Sequence, residues 1–485
     1  MIFPMPKVKL ERIDPYRLLI PRQGNMKVDA QVFVSDEIPL EEEALSQLVD
    51  AASLPGVDSA LATPDIHVGF GVPIGGVVAT EEFISPAAVG YDINCGMRLL
   101  TTPWNPQDVD LQDLAWKIRS VIPLGEGKHN VTLKSRDLRR VLTEGVRGLL
   151  EVLSRSPSII PYPQLLDFID WEEEFSTLSR IERQGSLPGD PDTVPERAIE
   201  RGLSQLGTLG GGNHFIELQR VEEVRDPDTA GRWGIRQGAL VIMIHSGSRG
   251  LGHELGGTYM KAAAQYDRQH GVRIPNSQLA LFPLKSREGE AYLGAMNCAA
   301  NYAFCNRQLM AMLIKALLRR EFGPAAFPLV YDVAHNLASE ETLGRKKLLI
   351  HRKGATRAFP AKLMSGTPFA DIGQPVLVPG SMGTSSWLLR GIDSGEASLF
   401  STNHGAGRVM SRSQARGKRK APGSVSDEEF NESMKGIVLV CEDRRSIKEE
   451  APAAYKDIDE VIETVIGAGL AAPVCRLVPL AVLKG

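Results

Sequence analysis

Residues able to hold a metal or attack phosphorus recur in glycine-rich settings along this chain. In VGYDINCGMR, Val89 to Arg98, Asp92 and Cys95 stand three residues apart between Gly90 and Gly96. A carboxylate and a thiol at that spacing converge on one ion, or they form a turn cap beside a small buried side chain. The segment alone leaves both readings open. The histidines narrow the choice. His245 closes the apolar run ALVIMIH, and His335 closes FPLVYDVAH. His214 follows three glycines in GTLGGGNHF, and His404 precedes a Gly-Ala-Gly turn in NHGAGR. Open α/β sheets place their ligands beyond strand ends, so imidazoles emerging there beside Asp92 and Cys95 point to a metal or phosphate site. His67, His253 and His351 are weaker candidates, and His129 and His270 have no supporting context.

The loops LGGGNH, PGSMGTSS and HGAGR combine glycine with Ser, Asn or Arg. Successive backbone N–H groups with hydroxyls and a guanidinium form nests for anions such as phosphate. None matches the GxxxxGK[ST] pattern or a dinucleotide fingerprint. Residue chemistry therefore points to a metal-dependent enzyme acting on phosphate groups, without naming the reaction.

The elements that must position these groups follow from periodicity. EEEALSQLVDAASL and LQDLAWKIRSVI repeat with helical spacing, whereas ALVIMI, FPLVYDV, KKLLI, PVLV and GIVLV are short, apolar and β-rich. FISPAAV reads as a further short strand, which puts Asp92 and Cys95 where a strand gives way to a loop. The mixture predicts an α/β (α+β) fold of mixed sheets flanked by helices. Residues 1–485 read as one catalytic domain with a helical, loop-rich insertion at about 126–205. Cys298 and Cys305 fall on one face of a long apolar helix and, with Cys441 and Cys475, read as packing; no CxxC occurs. The N-terminus is too short and charged for a signal peptide, and no 18-residue apolar stretch exists, which predicts a cytoplasmic protein with no membrane partner. A net charge of −4 supplies no general attraction for nucleic acid. Any polyanion must be gripped locally, by Arg412, Arg416, Lys418, Arg419 and Lys420 or by Arg352, Lys353 and Arg357 of HRKGATR.

PDIHVGFGVPIGG, GYDINCG, LGTLGGGNHFIE, HSGSRGLGH, AHN, HRKGATRAF, PGSMGTSS, HGAGR and the terminal LKG occur in the order seen in the RtcB family of GTP-dependent RNA ligases, which this chain resembles from about residue 60 onward. The resemblance implies joining of an RNA 3′-phosphate or 2′,3′-cyclic phosphate to a 5′-hydroxyl, in tRNA splicing or RNA repair. His404 takes the role of the guanylylated nucleophile, and GMP then passes to the RNA 3′-phosphate. Covalent transfer divides one hard displacement into easier ones. The resemblance also implies two Mn²⁺ ions bridged by Cys95, with Asp92 and His214 completing one ion and His245 and His335 the other. The guanine nucleotide falls to Asn213, His214, Phe215, Glu217, His335, Asn336, Pro379, Gly380, Ser381, Met382, Ser386, His404, Gly405, Ala406, Gly407 and Lys484. Without the family, Lys484 would pass for a frayed tail. RNA is the implied partner, with an archease-type activator as a second. The chain departs from the family pattern at Thr63, where Met is common, and at Asn403, and neither is expected to touch an assigned residue. The alternative reading is a GTP-independent, metal-dependent phosphoesterase that opens cyclic phosphates on RNA ends.

Overall fold

The structure, a computed structural model, describes residues 8–418, 421–443 and 446–485. Two sheets organise it. The first has seven strands in the spatial order Glu11–Asp14, Arg17–Ile20, Ala30–Phe33, Val57–His67, Ile74–Thr80, Lys346–Lys353 and Asn336–Leu343. The second runs Leu329–Ala334, Gly96–Thr101, Leu240–Ser246, Phe215–Val224, Ala471–Lys484, Ser386–Gly391 and Pro375–Val378, with Val438–Cys441 beside Ala471–Lys484. Strand pairs in both sheets are mostly antiparallel. The fold is therefore α/β with mixed sheets, as the alternation of periodicities predicts.

The central strands read as unbroken apolar runs because both their faces are covered. Leu240–Ser246 is buried at every position. Against this sheet lies the 36-residue helix Arg287–Phe322, begun by the Ser286 hydroxyl accepting from Gly289 N–H. A helix apolar nearly all round must be enclosed, and this one is enclosed by the sheet and by the helix Ser135–Arg155. Cys298 and Cys305 are buried in it as packing residues. Leu61, Val77 and Ile350 of the first sheet meet Val376, Trp387 and Leu389 of the second in one apolar cluster, which fixes the two sheets relative to each other.

FISPAAV departs from the sequence reading. Only Phe83–Ile84 is extended, and Pro86–Ala88 forms a 3₁₀ turn. Pro86 fixes φ and offers no N–H to a ladder, so the strand cannot continue. Cys95 consequently stands at the entrance to a strand, Gly96–Thr101, and not at the exit of one.

Candidate functional site

Strand register builds the site. Gly96 pairs with Ala334 on one side and with Ser246 on the other. Cys95, His335 and His245, each next to one of these residues in sequence, therefore meet at one end of the sheet. Phe215 pairs with His245, which delivers the neighbouring His214. Cys95 Sγ lies 3.1 Å from His245 Nε2 and 3.4 Å from His214 Nε2. His245 Nε2 is 3.2 Å from His335 Nε2, and His214 Nε2 is 2.7 Å from Asp92 Oδ2. Two groups of possible metal ligands result, Asp92–Cys95–His214 and Cys95–His245–His335, with Cys95 common to both. Gly247 is required here, because a Cβ at that position would collide with the Asp92 carboxylate.

The donor chemistry fits cations. Cys95 Sγ joins the two groups, within 3.1 to 3.4 Å of a histidine Nε2 in each. His245 Nδ1 is fixed by the Asn213 carbonyl at 3.1 Å, which leaves Nε2 free to coordinate. Burial pushes the Cys95 thiol well above its ordinary pKa, helped by the Asp92 charge, and burial pushes His245 and His335 well below theirs. Burial also raises Asp92, but the His214 ring and Arg249 outweigh it and hold the carboxyl near about 2. Buried imidazoles kept neutral, beside an ionised carboxylate, are the form that binds metal.

His404 faces this cluster from the first sheet's side. It follows the strand Ser401–Asn403, and its ring centre is 4.9 Å from that of His335. His404 Nδ1 lies 2.6 Å from Asp65 Oδ2, and the backbone N–H of His404 donates to the same oxygen at 3.2 Å. Nδ1 is thereby the protonated nitrogen, and Nε2 has no hydrogen-bond partner among the described residues. Asp65 is fully buried; burial raises its carboxyl, and the His404 and Thr63 contacts bring it below the ordinary value. Gly407, at φ +79°, permits the turn that brings this loop against the Asp65 backbone.

A cleft of about 380 Å³ joins the metal cluster to His404. Asn213, Phe215, Asn336, Pro379 to Met382, Gly405 to Gly407 and Lys484 line it with His245, His335, Asp92 and Cys95. Glu217 and Ser386 stand behind the wall, linked by Gln219, whose amide donates to both at 2.6 and 2.9 Å. Burial lifts Glu217 to about 8, against the opposing pull of Gln219 and Lys484. Lys484 is no frayed tail. It ends a central strand, is 3% exposed, and donates to the Gly212 carbonyl at 2.7 Å.

Several residues of HRKGATR are not where the sequence reading put them. Arg352 forks onto Glu341 at 2.6 and 2.9 Å, and Arg357 pairs with Glu182 at 3.2 Å, both buried, so neither is free to meet a phosphate. Of the three basic groups Lys353 lines the cleft, held by the Phe70 and Val72 carbonyls and lowered by burial to about 7. Arg412 lines the cleft and pairs with Glu450 at 3.2 Å, and Arg416 pairs with Glu449 at 2.8 Å. Arg419 and Lys420, with the side chain of Lys418, lie outside the described residues. His67 lines the cleft with its Nδ1 against the Asp65 carbonyl, and His351 serves the scaffold through backbone contacts. Asp65, Glu450 and Tyr455 belong to the site or its wall without having been singled out as such. For Asp65 the available signal was its place in PDIHVGFGVPIGG, two residues before His67, at the end of the strand Val57–His67.

Residues 47–485 match the model of the family described as tRNA-splicing ligase RtcB. The chain belongs to the RtcB family. It is 39% identical to the tRNA-splicing ligase RtcB of Archaeoglobus fulgidus, covering 98% of this chain and 99% of the relative. It is 41% identical to the RNA-splicing ligase RtcB of Mycobacterium tuberculosis, covering 90% of this chain and 100% of the relative. Against this RtcB background the two departures acquire contacts. Thr63 Oγ1 donates to Asp65 Oδ1 at 2.6 Å, and Asn403 Nδ2 donates to the Gly405 carbonyl at 2.8 Å. Asn403 therefore does touch an assigned residue, contrary to expectation. Among the described residues no helix is long and apolar enough to cross a membrane.

Proposed function

We propose that this chain is an RNA ligase that joins 3′-phosphate or 2′,3′-cyclic phosphate ends to 5′-hydroxyl ends with GTP and divalent metal, most simply two Mn²⁺. The names of its relatives support an RNA-joining reaction. The observation that carries the finer reading is His404. Its Nδ1 is tied to a buried carboxylate, and its Nε2 is left as a nucleophile in a cleft shared with the ligand cluster.

A 2′,3′-cyclic end is first opened by water, whose oxygen bonds to phosphorus as the P–O2′ bond breaks and O2′ takes the proton; from the 3′-phosphate the reaction balances as three displacements. His404 Nε2 attacks the α-phosphorus of GTP, forming a P–N bond as pyrophosphate leaves. An oxygen of the RNA 3′-phosphate attacks that phosphorus, and His404 departs with its electron pair. The 5′-hydroxyl oxygen attacks the RNA phosphorus and loses its proton, and GMP leaves. Asp65 holds the proton on His404 Nδ1 and stabilises the positive charge that builds on the ring as Nε2 bonds to phosphorus. Asp92, Cys95, His214, His245 and His335 would hold the two cations, which draw charge from phosphate oxygens. Softness rules rank Zn²⁺ above Mn²⁺ at this donor set, so Zn²⁺ is expected to bind and to support transfer poorly. Glycine-loop N–H groups and Lys484 suit the phosphates, and Glu217, protonated at neutral pH, stands near the wall where a base would sit. The proposal takes residues 1–485 as one catalytic unit with the 126–205 segment as an insertion, and RNA and an archease-type activator as partners.

Incubation with α-labelled GTP and Mn²⁺, followed by denaturing electrophoresis, tests the reading. Label is expected on the wild-type chain and not on His404→Ala. An unlabelled wild-type chain would overturn it and favour a phosphoesterase.

A further inference from the structure

Three rings stand in a row at the mouth of the cleft. Phe70 and Tyr91 line its wall, yet each is 37% exposed. Their ring centres are 5.9 Å apart at 57°, and Tyr91 stacks on His253 at 5.1 Å and 23°. Phe70 sits in the loop between Val57–His67 and Ile74–Thr80, and Tyr91 lies in the segment that carries Asp92 and Cys95. His253 lies near the start of the helix Arg249–His270.

Large aromatic side chains are normally buried for the area they remove from water, so paired exposure beside a polar cleft needs a reason. The row is also held in place. Lys353 Nζ bonds the Phe70 and Val72 carbonyls, which fixes the Phe70 loop to the cleft floor. Tyr91 lies over the two glycines Gly256 and Gly257, where a Cβ would stand 3.3 Å from the Tyr91 backbone and 3.7 Å from its ring. Further along this helix, one and two turns beyond His253 on about the same face, come Gly257 and Lys261. Lys261 is exposed and has no ion pair among the described residues.

We infer that Phe70, Tyr91 and His253 form a stacking platform for the nucleobase at the RNA end next to the junction, with Lys261 placed for a backbone phosphate beyond it. The inference rests on the RNA-joining reading above. Partly exposed rings beside a cleft suit single-stranded bases, because every base presents a π-face whatever its identity. The platform adjoins Asp92, so a base stacked on Tyr91 would set its own terminal phosphate toward the ligand cluster. A platform of this kind binds without selecting sequence, which suits an enzyme that joins ends of differing sequence.

The test uses the full chain with 3′-phosphate RNA oligonucleotides carrying 2-aminopurine at the last nucleotide, or no base there. Wild-type chain should quench the aminopurine and bind the base-bearing RNA more tightly than the abasic one. Tyr91→Leu and Phe70→Leu should each weaken base-bearing RNA by roughly tenfold and relieve quenching, with little effect on abasic RNA. Tyr91→Phe should restore both. Variants that lose affinity equally for base-bearing and abasic RNA, or that keep quenching, overturn the platform, because a general distortion near Asp92 is blind to the base. A wild-type chain that takes label from GTP and binds RNA without regard to the terminal base overturns the platform alone. A wild-type chain that takes no label overturns the reading on which the platform rests.

Discussion

Asp65→Asn replaces a buried carboxylate oxygen with an amide nitrogen beside His404. The two oxygens of Asp65 have different work: Oδ2 accepts from His404 Nδ1 and its backbone N–H, and Oδ1 accepts from Thr63 Oγ1. Asparagine can keep the first pattern only by turning its carbonyl to His404 and its NH₂ to Thr63. Thr63 allows this, because its hydroxyl can accept from the amide while donating to the Gly75 carbonyl at 3.0 Å. What the variant loses is charge. Taking an effective dielectric of about 20 and charges about 4 Å apart, the carboxylate stabilises the developing imidazolium by about 4 kcal/mol. A neutral hydrogen bond recovers about 1 kcal/mol. The net of about 3 kcal/mol predicts labelling about a hundredfold slower. With Thr63→Val added, the amide nitrogen faces a methyl group. It then remains unsatisfied, at about 1–3 kcal/mol, or turns to donate to Nδ1 and sends the ring proton to Nε2. The double variant should therefore be at least about tenfold slower than the product of the single effects requires. Single-turnover transfer of label from α-labelled GTP measures this, and a calorimetric Mn²⁺ titration should be unchanged because neither residue is a donor. Asp65→Asn labelling within about threefold of wild type, or a Thr63→Val effect equal in both backgrounds, would refute the orientation argument.

Three further outcomes follow from the same geometry. Cys95→Ala should remain folded by circular dichroism and lose Mn²⁺ binding and labelling, since one thiol serves both ligand groups; two calorimetric sites of wild-type affinity would contradict the shared role. Glu217→Gln should stabilise the ligand-free chain increasingly with pH. The carboxyl titrates at about 8 when folded against 4.5 otherwise, so the folded chain retains a proton that the unfolded chain releases between those values. Its contribution is complete below the lower value and declines as pH rises, so the variant's advantage in denaturant titrations should grow by up to about 3 kcal/mol from pH 5 to pH 8. Zn²⁺ should compete for the Cys95 site yet give slower labelling than Mn²⁺, and faster labelling with Zn²⁺ would remove the metal assignment.

The candidate ligands that the structure brings together stood out in the sequence because chemistry and position coincide in them. A histidine ending an apolar run is both unusual and aimed at a sheet edge, as with His245 and His335. Their grouping into two sets came with the family resemblance and agrees with the register, which no periodicity reveals. Asp65 was passed over because a single acid near the end of an apolar strand carries no periodic signal, and its partner His404 is 339 positions away. Arg352 and Arg357 were misplaced for the converse reason: arginine is exposed by default, and only the fold supplies the buried Glu341 and Glu182 that neutralise them. The same holds beneath the cluster. Arg307, on a helix that reads as apolar, donates to the Asn94 and Ser246 carbonyls and pairs with Asp332, so a charge lattice supports the ligand loops from below.

The order of strands around Gly96–Thr101 has a consequence for how the chain matures. Its two neighbours, Leu240–Ser246 and Leu329–Ala334, come far later in the sequence. Closing such distant pairings is slow, so Cys95 spends the early life of each molecule without the histidines that will surround it. Once the ladder closes, the thiol is 2% exposed and its burial disfavours the thiolate. Oxidants and alkylating agents therefore meet a far more accessible thiol in unfinished chains than in completed ones. Refolding under oxidising conditions should lose activity that the completed enzyme, given the same exposure, retains.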